Sequence, residues 1–107
     1  VSQTKTAAHY KLYALNNTTP PKPGLLRLAE HAGHPIEVEV WEMPLQHYGS
    51  FVSLIASPLG IGTLVLCDGS TVQGFICEPQ ALTDALEITH FGGWRAYLQS
   101  LADNKSV

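Results

Sequence analysis

The sequence predicts an α+β domain: a small, mainly antiparallel β-barrel or curved sheet with two or three helices. Short runs of β-branched, aromatic and aliphatic residues recur along the chain, and clusters rich in Gly, Pro, Asn and Ser separate them. An Asp-Gly pair lies between two of these runs, which is a strong hairpin signal. Other segments carry apolar residues at helical spacing. Mixed elements with antiparallel pairing are typical of an α+β domain.

The first half of the chain predicts three strands. His9–Leu15 is the first, an aromatic and aliphatic run. Asn16–Gly24 follows as a loop, because it is dense in turn formers and its prolines lack the amide donors that a sheet interior needs. Leu25–Glu30 is a second short strand, which the turn His31–Pro35 ends, and Ile36–Met43 is the third.

The third predicted strand has two unlike faces. One face carries Ile36, Val38 and Val40, and the other carries Glu37, Glu39, Trp41 and Met43. Because the second face changes from carboxylates to large apolar side chains, we expect another element or a cleft to cover part of it.

The second half predicts helices around a hairpin. Pro44–Ile55 has helical apolar spacing, and the breaker-rich Ser57–Ile61 follows as a loop. Thr63–Cys67 and Thr71–Cys77 flank the turn Asp68-Gly69-Ser70, while Gly74 indicates a bulge or a close backbone approach.

The C-terminal part predicts two further helices. Pro79–Glu87 is the first, and Trp94–Leu101 follows the Gly92-Gly93 break. We expect Asp103–Val107 to be a frayed tail.

Composition limits the function. A chain of 107 residues predicts one domain over residues 1–107, and its net charge of -3 with six scattered basic residues argues against nucleic-acid binding. No apolar stretch approaches the roughly 20 residues of a spanning helix, and no signal peptide is visible, so we expect a cytoplasmic protein without membrane contact. Cys67 and Cys77 are expected to be buried free thiols. None of the five histidines has metal-site spacing, so no metal and no cofactor are implied.

Four segments, in order, resemble the C-terminal domain of allophanate hydrolases. They are Glu-Val-Glu-Val-Trp-Glu-Met-Pro (Glu37–Pro44), Pro-Leu-Gly-Ile-Gly (Pro58–Gly62), Gly-Phe-Ile-Cys-Glu-Pro (Gly74–Pro79) and Ile-Thr-His-Phe-Gly-Gly-Trp-Arg-Ala-Tyr-Leu (Ile88–Leu98). The resemblance runs from about His9 to Leu98. It implies a γ-glutamyl-cyclotransferase-like fold and a role in urea or s-triazine nitrogen catabolism.

The resemblance also implies an activity. In that family an N-terminal amidase domain removes ammonia from allophanate, and the C-terminal domain is implied to decarboxylate the N-carboxycarbamate product. The chain has no Gly-Ser-Ser or Ser-Ser-Lys arrangement of an amidase, and it has no carboxylate from Phe51 to Leu66 where the related cyclotransferases place a general base. The alternative is a non-catalytic scaffold that dimerises or docks to an amidase.

Five residues are candidates for binding a small carboxylate substrate. Gly60, Ile61 and Gly62 could direct backbone amides at it, although tight packing needs the same glycines and is the favoured interpretation. Arg95 could clamp a dicarboxylate or pair with a buried glutamate. Tyr10, beside His9, completes this set.

Titratable side chains supply the other candidates. His9 and His90 have aromatic neighbours and are the candidates for proton transfer, although a hydrogen-bonded structural histidine is the more common case. Repulsion between Glu37 and Glu39 could raise one pKa, whereas Glu78 could cap a helix and pair with Arg95.

The family's domain is expected to begin upstream of this sequence, with a strand and a Gly/His-bearing segment. We therefore expect the chain to lack the family's first strand, and its sheet to expose an unpaired edge or to be completed by a partner. The expected partners are an amidase domain or amidase chain and a second copy in a homodimer.

Overall fold

The computed structural model describes residues 2–15, 22–55 and 59–105. Its strands are β1 Ser2–Lys5, β2 Tyr10–Leu15, β3 Lys22–Arg27, β4 Glu37–Val40, β5 Leu59–Val65, β6 Thr71–Cys77 and β7 Leu86–Glu87. Its helices are α1 Leu45–Ser53 and α2 Trp94–Lys105, with 3₁₀ turns at Pro79–Leu82 and Thr89–Phe91. Three predictions fall outside the described residues. They are the loop over 16–21, the loop over Ser57 and Pro58, and the end of the tail at 106–107.

The strands form three antiparallel groups: β1 with β4, β5 with β6, and β2 between β3 and β7. A bridge between Thr6 and Leu66 joins the first group to the end of β5. Strands β3 and β6 also contact each other, so the groups follow one another in a curved array. The predicted fold class is confirmed: a small α+β domain with antiparallel sheets and two helices.

The hairpin formed as predicted. Seven consecutive residue pairs join β5 to β6 in regular register, so Gly74 marks no bulge. A Cβ atom at Gly74 would instead lie 2.5 Å from Leu64 Cδ1, so the glycine makes room for a side chain rather than for a close backbone approach. Strand β2 and both helices also lie within or near their predicted ranges.

Several boundary predictions are wrong, including the strand ends predicted at Glu30 and Cys67, since β3 ends at Arg27 and β5 at Val65. Leu59–Val65 is a strand, so the predicted loop does not extend to Ile61. Lys22–Gly24 is strand rather than loop, and Pro23 is tolerated because β3 pairs only with β2. Strand β4 ends at Val40, before Met43. The C-terminal helix includes residues 103–105, which were predicted to be frayed.

The predicted helix Pro79–Glu87 is also wrong. Only its first residues, Pro79–Leu82, form a 3₁₀ turn. Leu86 and Glu87 instead pair with Ala14 and Tyr13 on β2. Tertiary pairing with the edge of β2 therefore overrides the local helical pattern.

The core is built around Tyr10. Its side chain is fully buried beside Leu12, Ile36, Ile88 and other apolar residues. Its Oη accepts a hydrogen bond of 2.9 Å from the Val65 N–H, which links β2 to β5. The core thus joins two of the three strand groups.

Thr89 provides a buried link between β2 and the segment before α2. Its Oγ1 accepts a hydrogen bond of 3.0 Å from the Leu12 N–H, and the residue is 6% exposed. We expect Thr89→Val to lower the free energy of unfolding by about 1–3 kcal/mol, because the Leu12 amide would be buried without a partner. Urea denaturation measures this, and Thr71→Val, at an exposed strand position, is the control. Equal losses in both variants would contradict the link.

The two cysteines are free and differ in exposure. Cys67 is exposed, so the prediction that both thiols are buried is wrong for Cys67. Cys77 is buried, and its Sγ lies 3.6 Å from the Leu25 carbonyl oxygen. Burial raises the pKa of the Cys77 thiol, so little of it is in the reactive thiolate form. We expect a thiol reagent to label Cys67 at neutral pH well before Cys77. Labelling of Cys67→Ser as fast as the unmodified chain would contradict this expectation.

Candidate functional site

A large cleft opens between the β1–β4 pair and the β5–β6 hairpin. Its volume is about 1490 Å³. Core residues such as Leu12, Leu25 and Leu64 line its inner part, and α1 contributes Tyr48 and Phe51. Residues from both faces of the predicted third strand line it, among them Glu37, Glu39, Trp41 and Met43, so the lining does not distinguish the predicted face from the other.

Charged side chains meet on the β1–β4 wall of this cleft. Lys5 lies opposite Glu37, and Gln3 lies opposite Glu39 in the antiparallel register. Because residues two apart share a face of a strand, these four side chains point the same way. Among the described residues, no carboxylate lies within ion-pair distance of Lys5.

Arg95 reaches this wall from the first turn of α2. One of its terminal nitrogens contacts the Glu39 carboxylate, whose side chain is 24% exposed, while the Arg95 side chain is 80% exposed. The remaining guanidinium donors are therefore available to a ligand. Arg95 was predicted to clamp a dicarboxylate or to pair with a buried glutamate. Its partner in the structure is Glu39, a partly exposed glutamate on the cleft wall. The pairing predicted with Glu78 is wrong, because Glu78 contacts Gln80 instead.

Two glycines bring α2 to β4. Gly92 ends the preceding 3₁₀ turn with φ 81, a left-handed conformation that favours glycine. The Gly92 carbonyl oxygen accepts a 2.7 Å hydrogen bond from the Glu37 N–H. A Cβ atom at Gly93 would lie 3.0 Å from Glu37 Cβ, so a larger residue would push the helix away from β4. This close approach places Arg95 beside Glu39.

The start of α2 adds partial positive charge at the cleft. Its first helical hydrogen bond runs from the Tyr97 N–H to the Gly93 carbonyl oxygen. The preceding amides, including those of Trp94 and Arg95, are therefore not used within the helix, and the helix dipole is positive at this end. Trp94 and Arg95 both line the cleft. The start of the helix favours an anion, whereas the carboxylates of Glu37, Glu39 and Glu42, which line the same cleft, disfavour one.

The predicted glycine segment is part of β5. Ile61 lines the cleft, whereas Gly60 and Gly62 are outside its lining. Gly62 faces Gly74 across the hairpin, and a Cβ atom at Gly62 would meet Ile76 Cδ1 at 2.7 Å. Packing between the two strands accounts for Gly62, while Gly60 has open space around its Cβ position.

The three predicted ring residues lie outside the cleft lining. His9 is 6% exposed, and its Nδ1 accepts a 3.1 Å hydrogen bond from the His31 N–H. Tyr10 has no exposed surface. His90 is exposed and its ring centroid lies 4.3 Å from that of Phe91. The structure brings together Arg95 and Ile61 from the predicted set, at one cleft.

Sequence reasoning did not include several cleft residues. Gln3 and Lys5 lie on a polar strand, β1, that has no alternating apolar pattern to reveal it. His47, interpreted as a surface histidine, lines the cleft beside Tyr48 on α1. The sequence signals for this site were Arg95, Ile61 and the unlike faces of the third strand.

In the part of the chain that the structure describes, no group of three or more His, Cys, Asp and Glu side chains could hold a metal ion. No helix among the described residues is long and apolar enough to cross a membrane.

The comparisons with known proteins agree with the resemblance. The family model described as allophanate hydrolase C-terminal domain matches residues 1–99. The chain is 41% identical over 105 residues to a urea amidolyase of Lachancea kluyveri and 40% identical over 106 residues to that of Saccharomyces cerevisiae. These matches cover 95% and 96% of this chain but only 6% of each relative.

Solved structures with this fold are also similar. Kluyveromyces lactis allophanate hydrolase matches 94% of the chain with a TM-score of 0.88 and 39% identity, over 17% of its own length. A uropathogenic E. coli-specific protein matches 92% of the chain with a TM-score of 0.81 and 34% identity, over 75% of its own length. The chain therefore corresponds to a small part of the long relatives and to most of a short one.

Proposed function

The chain belongs to the allophanate hydrolase C-terminal domain family, and on that basis we propose that its cleft binds N-carboxycarbamate and catalyses the decarboxylation of this dianion. One observation supports the proposal above the others. Arg95, Lys5, Gln3 and the start of α2 all line one large cleft, and Arg95 is held there by its contact with Glu39. This is the kind of site that a small dicarboxylate requires.

The reaction requires two contributions from the protein. The bond between nitrogen and one carboxylate carbon breaks, carbon dioxide leaves, and the electron pair stays on nitrogen. A proton then adds to that nitrogen and gives carbamate. The site must therefore hold the carboxylate that remains, and it must deliver one proton to the nitrogen.

Arg95 and Lys5 are the proposed anchors. Arg95 offers planar paired donors that match a carboxylate, and Lys5 adds a second positive charge on the same wall. Glu39 holds Arg95 in place through their contact, whereas Lys5 lies opposite Glu37 in the strand register without an ion pair to it. The substrate would bind to the donors that these carboxylates leave unused.

His47 is the proposed proton donor. It is the histidine that lines the cleft within the described part of the chain, and it lies exposed on α1. His9 and His90 remain predicted alternatives, as do the substrate-binding roles of Tyr10, Gly60 and Gly62. Separate His→Gln variants at positions 9, 47 and 90 distinguish the three histidines. We expect only His47→Gln to lower the turnover rate strongly.

Arg95→Gln tests the proposed anchor. An amidase supplies N-carboxycarbamate from allophanate, and carbon dioxide release is followed with and without this chain. We expect Arg95→Gln to reduce the acceleration about tenfold or more, because a hydrogen bond to a charged group contributes about 1.5–3 kcal/mol. Arg27→Gln, on the exposed end of β3 and outside the cleft lining, is the matched control.

The enzyme proposal would be contradicted if the unmodified chain, with its fold intact, did not accelerate carbon dioxide release. Equal loss in the Arg95 and Arg27 variants would contradict the anchor alone.

A scaffold role is the second candidate. Large apolar side chains are exposed near the cleft, among them Trp41 at 68% and Leu45 at 89%. Such surfaces mark protein contacts. An amidase domain or chain, or a second copy in a homodimer, is the proposed partner. Co-sedimentation with an amidase, without any change in carbon dioxide release, would favour this role.

A further inference from the structure

Glu37 brings an unpaired negative charge to the charged wall of the cleft. It lies on β4 two residues before Glu39, and residues two apart on a strand lie about 7 Å from each other on the same face. Glu39 contacts Arg95, whereas in the described part of the chain no hydrogen bond or ion pair engages the Glu37 carboxylate. Two neighbouring carboxylates of the cleft lining therefore differ in their relation to the proposed anion site.

Backbone contacts fix Glu37 beside the start of α2. Its N–H donates to the Gly92 carbonyl oxygen at 2.7 Å, and it forms a parallel bridge with Gly93. The side chain extends in the same direction, since Glu37 Oε2 lies 3.4 Å from the position that a Cβ atom would take at Gly93. This end of the cleft therefore carries a negative charge before any ligand binds.

Lys5 does not neutralise this charge. It lies opposite Glu37 in the register of β1 and β4, yet no ion pair joins the two side chains. Both residues are exposed, and exposed ion pairs contribute little stability even where they form. An anion bound at Arg95 therefore meets Glu37 as a like charge.

The proposed reaction changes the number of negative charges in the cleft. N-carboxycarbamate carries two carboxylates. Once carbon dioxide has left and the nitrogen has taken up a proton, the carbamate that remains carries one. Repulsion between like charges increases with the charge of the ligand. A fixed carboxylate beside the site therefore disfavours the dianionic substrate more than the monoanion that forms from it.

We propose that Glu37 is a specificity-determining residue, and that its carboxylate lowers the affinity of the cleft for a second negative charge. Arg95, held by Glu39, retains one carboxylate of the ligand, and Glu37 repels the other. This assignment rests on the proposed function, because it requires an anion at Arg95. It gives Glu37 and Glu39, on one face of one strand, opposite effects on the same ligand.

Binding of malonate and of its monoamide, malonamate, tests the assignment. The two ligands have nearly the same shape, but malonate carries two negative charges and malonamate carries one. We expect Glu37→Gln to tighten malonate binding about threefold or more at low salt, because a like charge beside the ligand is removed. Malonamate binding is expected to tighten less. NMR titrations of the complete chain, followed at the Trp94 and Arg95 amides, give both dissociation constants.

Two further glutamate variants are the controls. Glu39→Gln removes the contact with Arg95, so it is expected to weaken the binding of both ligands. Glu30→Gln makes the same change in net charge, but Glu30 lies in an exposed turn outside the cleft lining, so both dissociation constants should stay as in the unmodified chain. Opposite responses to Glu37→Gln and Glu39→Gln are the signature of the assignment.

Three results would overturn the assignment while leaving the proposed function intact. Malonate would bind the unmodified chain, but Glu37→Gln would leave its dissociation constant unchanged, would tighten malonamate binding equally, or would act no more strongly than Glu30→Gln. Malonate binding that appears only in Glu37→Gln would support the assignment. Absence of malonate binding in both chains would contradict the proposed anion site itself, and the assignment with it.

Discussion

Gly33→Ala is expected to destabilise the domain severely. A Cβ atom at this position would lie 2.4 Å from the Tyr10 nitrogen and 2.6 Å from the Tyr10 carbonyl oxygen. Both are backbone atoms of β2 and cannot move aside without breaking the strand. We expect the free energy of unfolding to fall by about 3 kcal/mol or more, at or beyond the upper end of overpacking effects. Thermal unfolding would show a decrease of about 12 °C or more.

The surroundings of Gly33 explain why the backbone cannot shift to relieve the clash. The turn is held against the start of β2 by hydrogen bonds from the Gly33 N–H to the Ala8 carbonyl oxygen and from the His34 N–H to the Tyr10 carbonyl oxygen. The His31 N–H donates to the buried His9 ring, and His31 itself has φ 60. Residues on both sides of Gly33 are therefore fixed.

Gly49→Ala is the matched control for this prediction. Gly49 lies within α1, and nothing lies within 4 Å of its Cβ position. Alanine should stabilise α1 there by about 0.5–1 kcal/mol, because glycine loses more conformational freedom in a helix. A Gly33→Ala variant as stable as the Gly49→Ala variant would contradict the close approach.

Tyr10→Ala is the second change with a large expected effect. Its side chain is fully buried in the core, so removing it should cost about 3–5 kcal/mol, as for other large aromatic side chains. The Val65 N–H would also lose the hydroxyl that it donates to. Against a typical total of about 5–15 kcal/mol, this loss leaves little stability. Urea denaturation measures it.

Tyr10→Phe separates the two contributions. Phenylalanine retains the ring but removes the hydroxyl. The Val65 amide is part-buried, so the expected loss is smaller than for alanine, at most about 1–3 kcal/mol. If Tyr10→Phe were as unstable as Tyr10→Ala, the ring would contribute nothing to the core. If it were as stable as the unmodified chain, the link between β2 and β5 would contribute nothing.

The sequence predicted the elements whose signal is local. The Asp68-Gly69 pair located the β5–β6 hairpin, and the apolar spacing from Leu45 onward located α1. It did not reveal β1, because Ser2–Lys5 carries no apolar pattern and forms a strand only by pairing with β4. It misassigned Leu86 and Glu87 for the same reason, since their partner is β2.

The candidate site was also predictable only in part. Arg95 was singled out from its chemistry, and the mixed face of Glu37–Met43 indicated a cleft. The partner of Arg95 was not predictable, because the proximity of Glu39 depends on how Gly92 and Gly93 bring α2 against β4. Lys5 was missed because only the β1–β4 register places it opposite Glu37.

The central claim is that a small dicarboxylate binds at the charged wall of the cleft. Malonate has the same two carboxylates as N-carboxycarbamate with a methylene in place of the nitrogen, and it cannot undergo the proposed reaction at that position. Titration of malonate into isotope-labelled chain, followed by NMR, tests the claim most directly. We predict saturable shifts at Arg95, Trp94 and Glu39 that disappear in Arg95→Gln. Shifts confined to residues around His9 or His90, or no shift at the cleft wall, would contradict it.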